Sequence, residues 1–598
     1  MNLPVSAGSF LDVERSARGR VWSLRTADDR LARAHAQRLG VAEVLGRILA
    51  GRSVPLDLGE RFLNPSLRED MPDPSSLADM DRAVGRVVRT VEAGKPVGIF
   101  GDYDVDGAAS TALLGRYLTG LGLRVLTHIP DRMTEGYGPN IAALRALAAE
   151  GADVIVTVDC GTAATSVLAE AAGDGLDVVV LDHHETPDAP PPTAGHVNPK
   201  QAADRSGLDH LAAVGVTFFF VVALNRALRD GGFFSGERQE PDLRDMLDLV
   251  ALGTVCDVVP LVGINRAFVL RGQEVMGRRG NAGLTALCDI AGIKERPTSV
   301  HLGFQIGPRI NAGGRIGRSG LAAALLGTSD AGEAAKLARE LDALNKERQA
   351  MEAAIVREAV AAAAVQVDRD EAPVIVLARE AWHPGVLGIV AGRLKDRFQR
   401  PAFVFGIDRK GRAVGSGRSV PGVDLGTAVL KAVEAGAAIK GGGHAMAAGA
   451  TLDAAQVTAF QAFLAERLAA DTAIAAATRT LDLDGALAVS GATRELADLV
   501  ERAGPFGAGN PEPLFAVPNA RLVKQDVVGQ GHVRLIVSDT TGKRLKAIAF
   551  RCKDSDLGQL LLNERDRPVH LAGRLRADNW RNQRGVQFEI EDAARPAD

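Results

Sequence analysis

Asp177-Val178-Val179-Val180-Leu181 runs directly into Asp182-His183-His184. A short β-branched apolar run of this kind reads as a parallel strand buried on both faces. Two earlier runs end alike: Val97-Gly98-Ile99-Phe100-Gly101 enters Asp102, and Val154-Ile155-Val156-Thr157-Val158 enters Asp159. Helical patterns over residues 107–121, 139–149 and 162–172, and a further strand at 124–129, lie between them. That alternation predicts an α/β fold built on a doubly wound parallel sheet. Ligands of open α/β sheets bind beyond the carboxyl ends of the strands, so three strand ends bring acids and imidazoles to one crevice. Asp102, Asp104, Asp106, Asp159 and His183, with Asp257 after a later helix, are the groups delivered there. They carry more negative charge than a water-poor site holds without a cation. The pattern predicts a centre of two metal ions.

Each piece has a plainer alternative. In Asp102-Tyr103-Asp104-Val105-Asp106-Gly107 the alternating acids share one side of an extended segment, and Gly107 lets the chain turn into the next helix. A calcium loop needs Glu at its twelfth position, where Leu113 stands. Any single one of these acids also suits a helix N-cap, and Asp159-Cys160-Gly161 is equally good helix-start chemistry. Adjacent imidazoles at a buried strand end need polar partners, which a core histidine bonded to an aspartate would also supply. Asp257, in Thr254-Val255-Cys256-Asp257-Val258-Val259-Pro260, fits a turn cap as well as a ligand. Oxygen-rich donors with one or two imidazoles suit Mn²⁺ or Mg²⁺ better than zinc or copper.

The remainder of the 598 residues sets the frame. A chain this long holds three or four domains. Net charge is −4, so any phosphate-binding surface is local rather than global. Four scattered cysteines without a CxxC pair fit a reducing compartment. Residues 1–20 lack a signal-type apolar core, and the most apolar stretch, 214–224, is too short to span a bilayer. The expectation is a cytoplasmic protein. Residues 1–75 read as a helical N-terminal extension and 76–329 as the main α/β domain. Residues 330–367, rich in Ala, Glu, Lys, Arg and Leu, predict one long connecting helix. A smaller α/β domain spans 368–470, and short alternating strands over 471–598 suggest a β-barrel, the OB type being one kind.

Three places offer phosphate-binding chemistry. Gly307-Pro308-Arg309-Ile310-Asn311-Ala312-Gly313-Gly314-Arg315 reads as a glycine-rich loop carrying two guanidinium forks and an amide. Ser416-Gly417-Arg418-Ser419 and Gly441-Gly442-Gly443-His444 offer a second cradle. Arg574, Arg576, Arg581 and Arg584 flank Trp580, a mix of cations and an aromatic that could hold a single strand by phosphate contact and stacking. Solvated loops and hairpins are the alternative for all three.

Assembled, these motifs resemble the DHH phosphoesterase superfamily, named for Asp-His-His, and within it the RecJ family of single-stranded-DNA exonucleases. The resemblance rests on residues 101–107, 158–161, 182–185, 256–261 and 307–315. Trp382-His383-Pro384-Gly385-Val386, residues 416–419 and 441–449, and Pro505-Phe506-Gly507-Ala508-Gly509-Asn510-Pro511-Glu512-Pro513 complete it. It covers the chain from about Arg61 onward; Ala213 and Gly313 depart from the expected glycine and alanine. It implies a DHH domain, a connecting helix, a DHH-associated domain and an OB-fold. It also implies 5′-to-3′ exonuclease activity on single-stranded DNA, releasing 5′-mononucleotides in recombination and repair, with two Mn²⁺ or Mg²⁺ ions. In that reading Asp159 bridges the ions and His183 is a ligand, while His184 stands behind the ligands or donates to the scissile phosphate. Arg309, Asn311 and Arg315 hold non-bridging oxygens, and Ser416, Arg418 and His444 hold further phosphates. A monomer that meets single-strand-binding protein and repair factors, and no membrane, completes the expectation. The rivals are a DHH phosphodiesterase of short oligonucleotides or cyclic dinucleotides, and a catalytically inactive DNA-binding scaffold.

Overall fold

The computed structural model describes residues 8–597 apart from 27, 133, 188, 237, 565–566 and 579–584. The chain forms two compact units. One comprises Met1–Leu56, Glu347–Glu501 and Pro513–Asp598, and the other Asp57–Lys346 and Arg502–Glu512. The first strand of the chain, β1 (Val21–Leu24), belongs to the former.

The latter is built on an all-parallel five-stranded sheet. Its strands are β2 (Val97–Gly101), β3 (Val125–His128), β4 (Val154–Val158), β5 (Val178–Leu181) and β6 (Gly195–Val197), in the order β3-β2-β4-β5-β6. Every residue of β2, β4 and β5 is buried, as a strand covered on both faces requires. Side chains alternate between the faces: Val154, Val156, Val158, Val179 and Leu181 join the core under the helices Met80–Glu92, Val105–Gly120 and Ala213–Asp230. Ile155, Val178 and Val180 join the core under Ile141–Ala149 and Thr165–Gly173. From β2 the chain steps out to β3 and returns to β4 on β2's other side, so the strand order reverses between β2 and β4. Gly101 is level with Val158 and Val158 with Leu181. Asp102, Asp159 and Asp182 therefore leave the sheet side by side, two of them at the switch point where such folds bind ligands.

Residues 307–315 correct an expectation. They are not a loop but a helix, Gly307–Ile316, that continues a π-helical stretch, Leu302–Ile306. The glycines there allow close approach rather than turning. A Cβ on Gly314 would stand 2.7 Å from the Tyr103 carbonyl oxygen, so only glycine lets this helix lie against the segment that follows β2. The long helix spans Ala331–Asp370, about 60 Å at ~1.5 Å per residue.

The unit that comprises Met1–Leu56, Glu347–Glu501 and Pro513–Asp598 carries a five-stranded sheet of β7 (Ile375–Glu380), β8 (Ala402–Ile407), β9 (Arg412–Arg418), β10 (Lys440–His444) and β11 (Ala447–Asp453), in the order β10-β11-β9-β8-β7. Residues 441–444, expected as part of a glycine-rich cradle, form strand β10 of the antiparallel β10–β11 hairpin, with Gly442 opposite Gly449. β12 (Thr480–Leu483) pairs in parallel with β1, burying Trp22 completely among Leu481, Leu483 and Leu514. No local pattern announces a pairing between residues so far apart in the chain. β13 (Gly485–Ala486) then leads to the barrel of β14 (Phe515–Val528), β15 (His532–Ser538), β16 (Arg544–Ala549), β17 (Val569–Asp578) and β18 (Gly585–Ala594). Pairing runs β14-β15-β16-β18-β17 and closes through β14–β17. A helix that the alternating pattern did not reveal, Asp556–Asn563, joins β16 to β17. Among the described residues no helix is long and apolar enough to cross a membrane.

Candidate metal centre

The segment after β2 does not stay extended. Asp102 follows the strand, Asp104 caps the helix Val105–Gly120 by accepting the Gly107 N–H at 3.0 Å, and Asp106 lies in its first turn. The three acids are thus gathered by a strand end, an N-cap and a helical turn, not by strand alternation. Asp106 is wholly buried, and its two oxygens accept the N–H groups of Ala213 (2.6 Å) and Val214 (3.0 Å). This is the start of the helix Ala213–Asp230, whose dipole favours an anion. A Cβ on Gly253 would lie 2.6 Å from Asp106 Oδ1, so the helix Leu247–Cys256 passes the carboxylate at glycine distance. The same helix ends at Asp257, its C-cap. Asp159 adopts a left-handed backbone, φ 61°, directly after β4 and is buried.

These ends converge. Donor atoms of Asp102, Asp104 and Asp159 lie within 4.8 Å of one another, as do those of Asp106, His183 and Asp257, and those of Asp159, His183 and His184. His183 Nε2 stands 3.4 Å from Asp159 Oδ1, 3.6 Å from Asp257 Oδ2 and 4.0 Å from Asp106 Oδ2. All six expected ligands therefore share one place, and Asp159 belongs to two of the three groups.

The donors fit hard divalent cations. Asp102 Oδ1, Asp159 Oδ1 and His183 Nε2 are buried and have no hydrogen-bond partner, which is costly unless another partner binds them. Burial, reinforced by Asp104, pushes Asp102 up to about 8 and Asp257 up to about 7. Burial drives Asp106 and Asp159 well above the carboxylate range, with neighbouring acids adding to it. Burial, then His184, pushes His183 down to about 4, leaving a neutral imidazole with a lone pair among carboxylates. A bound cation would reverse the sign of each carboxylate shift. The oxygen-rich set matches Mn²⁺ or Mg²⁺.

Asp182 is occupied otherwise. It is completely buried and accepts from the backbone N–H groups of Thr162 (3.0 Å), His183 (2.8 Å) and His184 (3.2 Å). His184 Nδ1 lies 2.7 Å from its Oδ1. Burial, the largest single effect, opposes a charge on His184, but the hydrogen bond to Asp182 together with the charges of Asp182, Asp257 and Asp102 outweighs it and raises His184 above its usual range. Asp182 thus orients His184, whose side chain is 42% exposed. Three further residues went unnoticed in the sequence. The Tyr137 hydroxyl donates to the Asp159 carbonyl at 3.1 Å and sits 3.2–3.3 Å from the His184 ring nitrogens. Asn198 donates to the His184 carbonyl (2.9 Å) and to the Thr162 hydroxyl (3.0 Å). None of these shows in periodicity; only the Gly136-Tyr137-Gly138-Pro139-Asn140 turn chemistry marks the first.

The expected phosphate-binding groups divide. Asn311 and Arg315 are four apart on the helix Gly307–Ile316 and share a face. Arg309 lies on the opposite side, its Nε donating to Asp342 Oδ1 at 2.9 Å and one terminal nitrogen to the Gln305 carbonyl at 2.6 Å. Phosphate contact by Arg309 would have to share that ion pair. On β9, Arg418 donates to the Ser416 hydroxyl (3.0 Å) and the Gly417 carbonyl (2.8 Å). Both side chains crowd Gly388 near the start of the helix Pro384–Phe398. His444 and Arg418 flank Ala447 in one row of the sheet. On the barrel Arg574 pairs with Glu591 (3.2 Å) and Arg576 with Glu589 (3.3 Å) across β17–β18. Trp580, with Arg581 and Arg584, lies outside the described residues.

Comparison with known proteins agrees with this layout. Residues 96–254 match the DHH family, N-terminal domain; 371–470 match the DHHA1 domain; 483–592 match the RecJ OB domain. The single-stranded-DNA-specific exonuclease RecJ of Escherichia coli K12 is 35% identical over 558 residues, 92% of this chain and 95% of that protein. The protein of that name from Bacillus subtilis 168 is 33% identical over 580 residues, 96% of this chain and 70% of that protein. The crystal structure of RecJ in complex with Mn²⁺ from Thermus thermophilus superposes with a TM-score of 0.79 at 29% identity, covering 97% of this chain and 80% of that one. The chain belongs to the RecJ family of single-stranded-DNA-specific exonucleases.

Proposed function

We propose that this protein is a metal-dependent exonuclease that hydrolyses single-stranded DNA from its 5′ end and releases 5′-mononucleotides, in recombination and repair. The observation that carries the reading is the convergence of six donors around Asp159 with three buried donor atoms left unpartnered. Asp102, Asp104 and Asp159 would hold one Mn²⁺ or Mg²⁺ ion, and Asp106, His183 and Asp257, with Asp159 between, the other. When bound, the pair supplies Lewis acidity that lowers the pKa of water and stabilises the leaving oxygen. His184, aimed by Asp182, donates to a phosphate oxygen beside the ligands. The Tyr137 hydroxyl limits where that ring can turn. Asn311 and Arg315 present an amide and a guanidinium to non-bridging oxygens from one helix face, and Arg309 contributes to the extent that it shares Asp342. Ser416, Arg418 and His444 bind further phosphates on the DHHA1 sheet. The OB barrel, through Arg574, Arg576 and Trp580, holds the strand.

For the domains we propose an N-terminal extension to residue 75, the DHH domain at 76–329, the connecting helix at 330–367, the DHHA1 domain at 368–470 and the OB-fold from 471. Polarity and product rest on the family likeness alone. A monomer acting in the cytoplasm alongside single-strand-binding protein is the setting that composition and family support.

Digestion of 5′- and 3′-labelled single-stranded and duplex DNA, with and without Mn²⁺, tests the reading. Release of label from the 5′-labelled single strand only, abolished by Asp159→Ala, is expected. Preferred turnover of a dinucleotide would favour a small-substrate phosphodiesterase, and activity without metal would overturn the mechanism.

A further inference from the structure

The unit that lacks the metal cluster carries a second concentration of charge, of opposite sign. A cavity of about 580 Å³ is lined by Arg15 and Arg18 of the N-terminal segment, Arg397 at the end of the helix Pro384–Phe398, Arg479 just before β12, and Arg551 after β16. Two carboxylates also line it, Asp396 and Asp556. Asp396 is bonded to Lys395 at 2.6 Å, outside the arginine set. Arg18 reaches Glu591 at 3.6 Å, and Arg479 donates to the Arg18 carbonyl at 3.0 Å. Among the described residues Arg15, Arg397 and Arg551 make no ion pair, and all three are exposed. Burial, then the neighbouring Arg20, holds Arg479 below the usual arginine range, with Asp592 opposing the shift.

The strand face of the barrel is different. There Lys524 and Arg534 pair with Asp526 at 3.4 and 3.1 Å, and Lys546 with Asp578 at 3.4 Å. Surface cations are ordinarily neutralised in this way, so Arg15, Arg397 and Arg551, gathered around one cavity without an ion pair among the described residues and beside Arg18 and Arg479, call for an anion from elsewhere. Guanidinium forks match phosphate oxygens in geometry and charge. The volume falls within the range of about 300–1,000 Å³ typical of ligand sites. It suits a nucleotide-sized portion of a chain.

We infer that the cavity ringed by Arg15, Arg18, Arg397, Arg479 and Arg551 is an accessory site for the phosphodiester backbone of single-stranded DNA, separate from the barrel's strand face. The inference rests on the nuclease reading above, because it takes its ligand from that substrate. Backbone phosphates bound here add affinity without base preference and steepen the salt dependence of binding. No bond is made or broken at this site.

The test is fluorescence anisotropy of a long labelled oligodeoxythymidine against chelated full-length protein at several salt concentrations. The comparison is wild type, Arg397→Ala/Arg551→Ala and Arg397→Lys/Arg551→Lys, with turnover of a dinucleotide measured in Mn²⁺. Loss of two phosphate contacts should reduce the slope of log K against log salt by about 1.4, at ~0.7 per contact for single strands. The lysine pair should restore part of the slope, and dinucleotide turnover should stay unchanged. The single Arg397→Glu variant, at an exposed helix end, gives the same reading if the double variant melts early. An unchanged slope would overturn the inference. So would tight binding of pyrophosphate or of an acidic peptide that the variants lose while DNA binding holds. If wild type cleaves no single-stranded DNA at all, the nuclease reading fails instead.

Discussion

Removing metal should make stability fall as pH rises, because the cluster's carboxylates are more basic in the folded protein than in the unfolded chain. Asp102 moves from 3.8 to about 8, driven by burial and then by Asp104. A group raised on folding contributes stability that is complete below its unfolded pKa and is lost as pH climbs to its folded pKa. At about 1.4 kcal/mol for each pH unit, Asp102 alone withdraws roughly 3 kcal/mol between about pH 5.5 and 8.5. Asp257, raised to about 7, acts in the same direction over a lower window, and the two are not additive because both face Asp104. For a unit of this size ~3 kcal/mol lowers Tm by about 6 °C. Bound cation cancels the penalty, so the Tm gain on saturating chelated protein with Mn²⁺ should be small at the acidic end and larger by at least that amount at the alkaline end. Differential scanning fluorimetry across that range measures it, with Asp102→Asn/Asp257→Asn as the control whose metal-free Tm should flatten. A gain independent of pH, or metal-free stability that rises through this window, would refute the reasoning.

Three further outcomes are expected. Asp182→Asn should leave two metals bound but cost about 10–100-fold in kcat/KM, as loss of an orienting partner does. The alkaline limb of its pH–rate profile should move toward acid, because His184 loses the bond that raises it; an unmoved limb would contradict that role. Gly314→Ala should cost about 1–3 kcal/mol in urea unfolding and lower kcat, since its Cβ would meet the Tyr103 carbonyl at 2.7 Å and shift the segment bearing Asp102 and Asp104. Trp22→Ala should cost about 3–5 kcal/mol, because the ring on β1 is wholly buried among Leu481, Leu483 and Leu514, with kcat of the folded fraction unchanged.

The parallel sheet was legible because β2, β4 and β5 are buried on both faces, and such strands write themselves as continuous Val and Ile runs. Asp102, Asp159 and His183 followed from the rule that ligands meet strand ends. Asp106 was found for an incomplete reason: an extended segment was expected to align it, whereas a helix N-terminus 107 residues further along holds it. Residues 307–315 look like a loop in the sequence because Gly and Pro signal one locally, yet they lie in a helix. Here tertiary contact with Tyr103 selects the absence of a side chain and overrides helix propensity. The β10–β11 hairpin was hidden by the same ambiguity, glycine in a strand looking like glycine in a turn. The β1–β12 pairing and the Tyr137, Thr162 and Asn198 contacts depend on positions distant in sequence, which no local periodicity reports.

Everything catalytic in this account depends on two ions sharing Asp159. Anomalous scattering from crystals soaked in Mn²⁺ measures that directly. The geometry predicts two peaks about 3.5–4 Å apart, one against Asp102 and Asp104, one against Asp106, His183 and Asp257, with Asp159 touching both. A single peak, or two with Asp159 bound to neither, would contradict it.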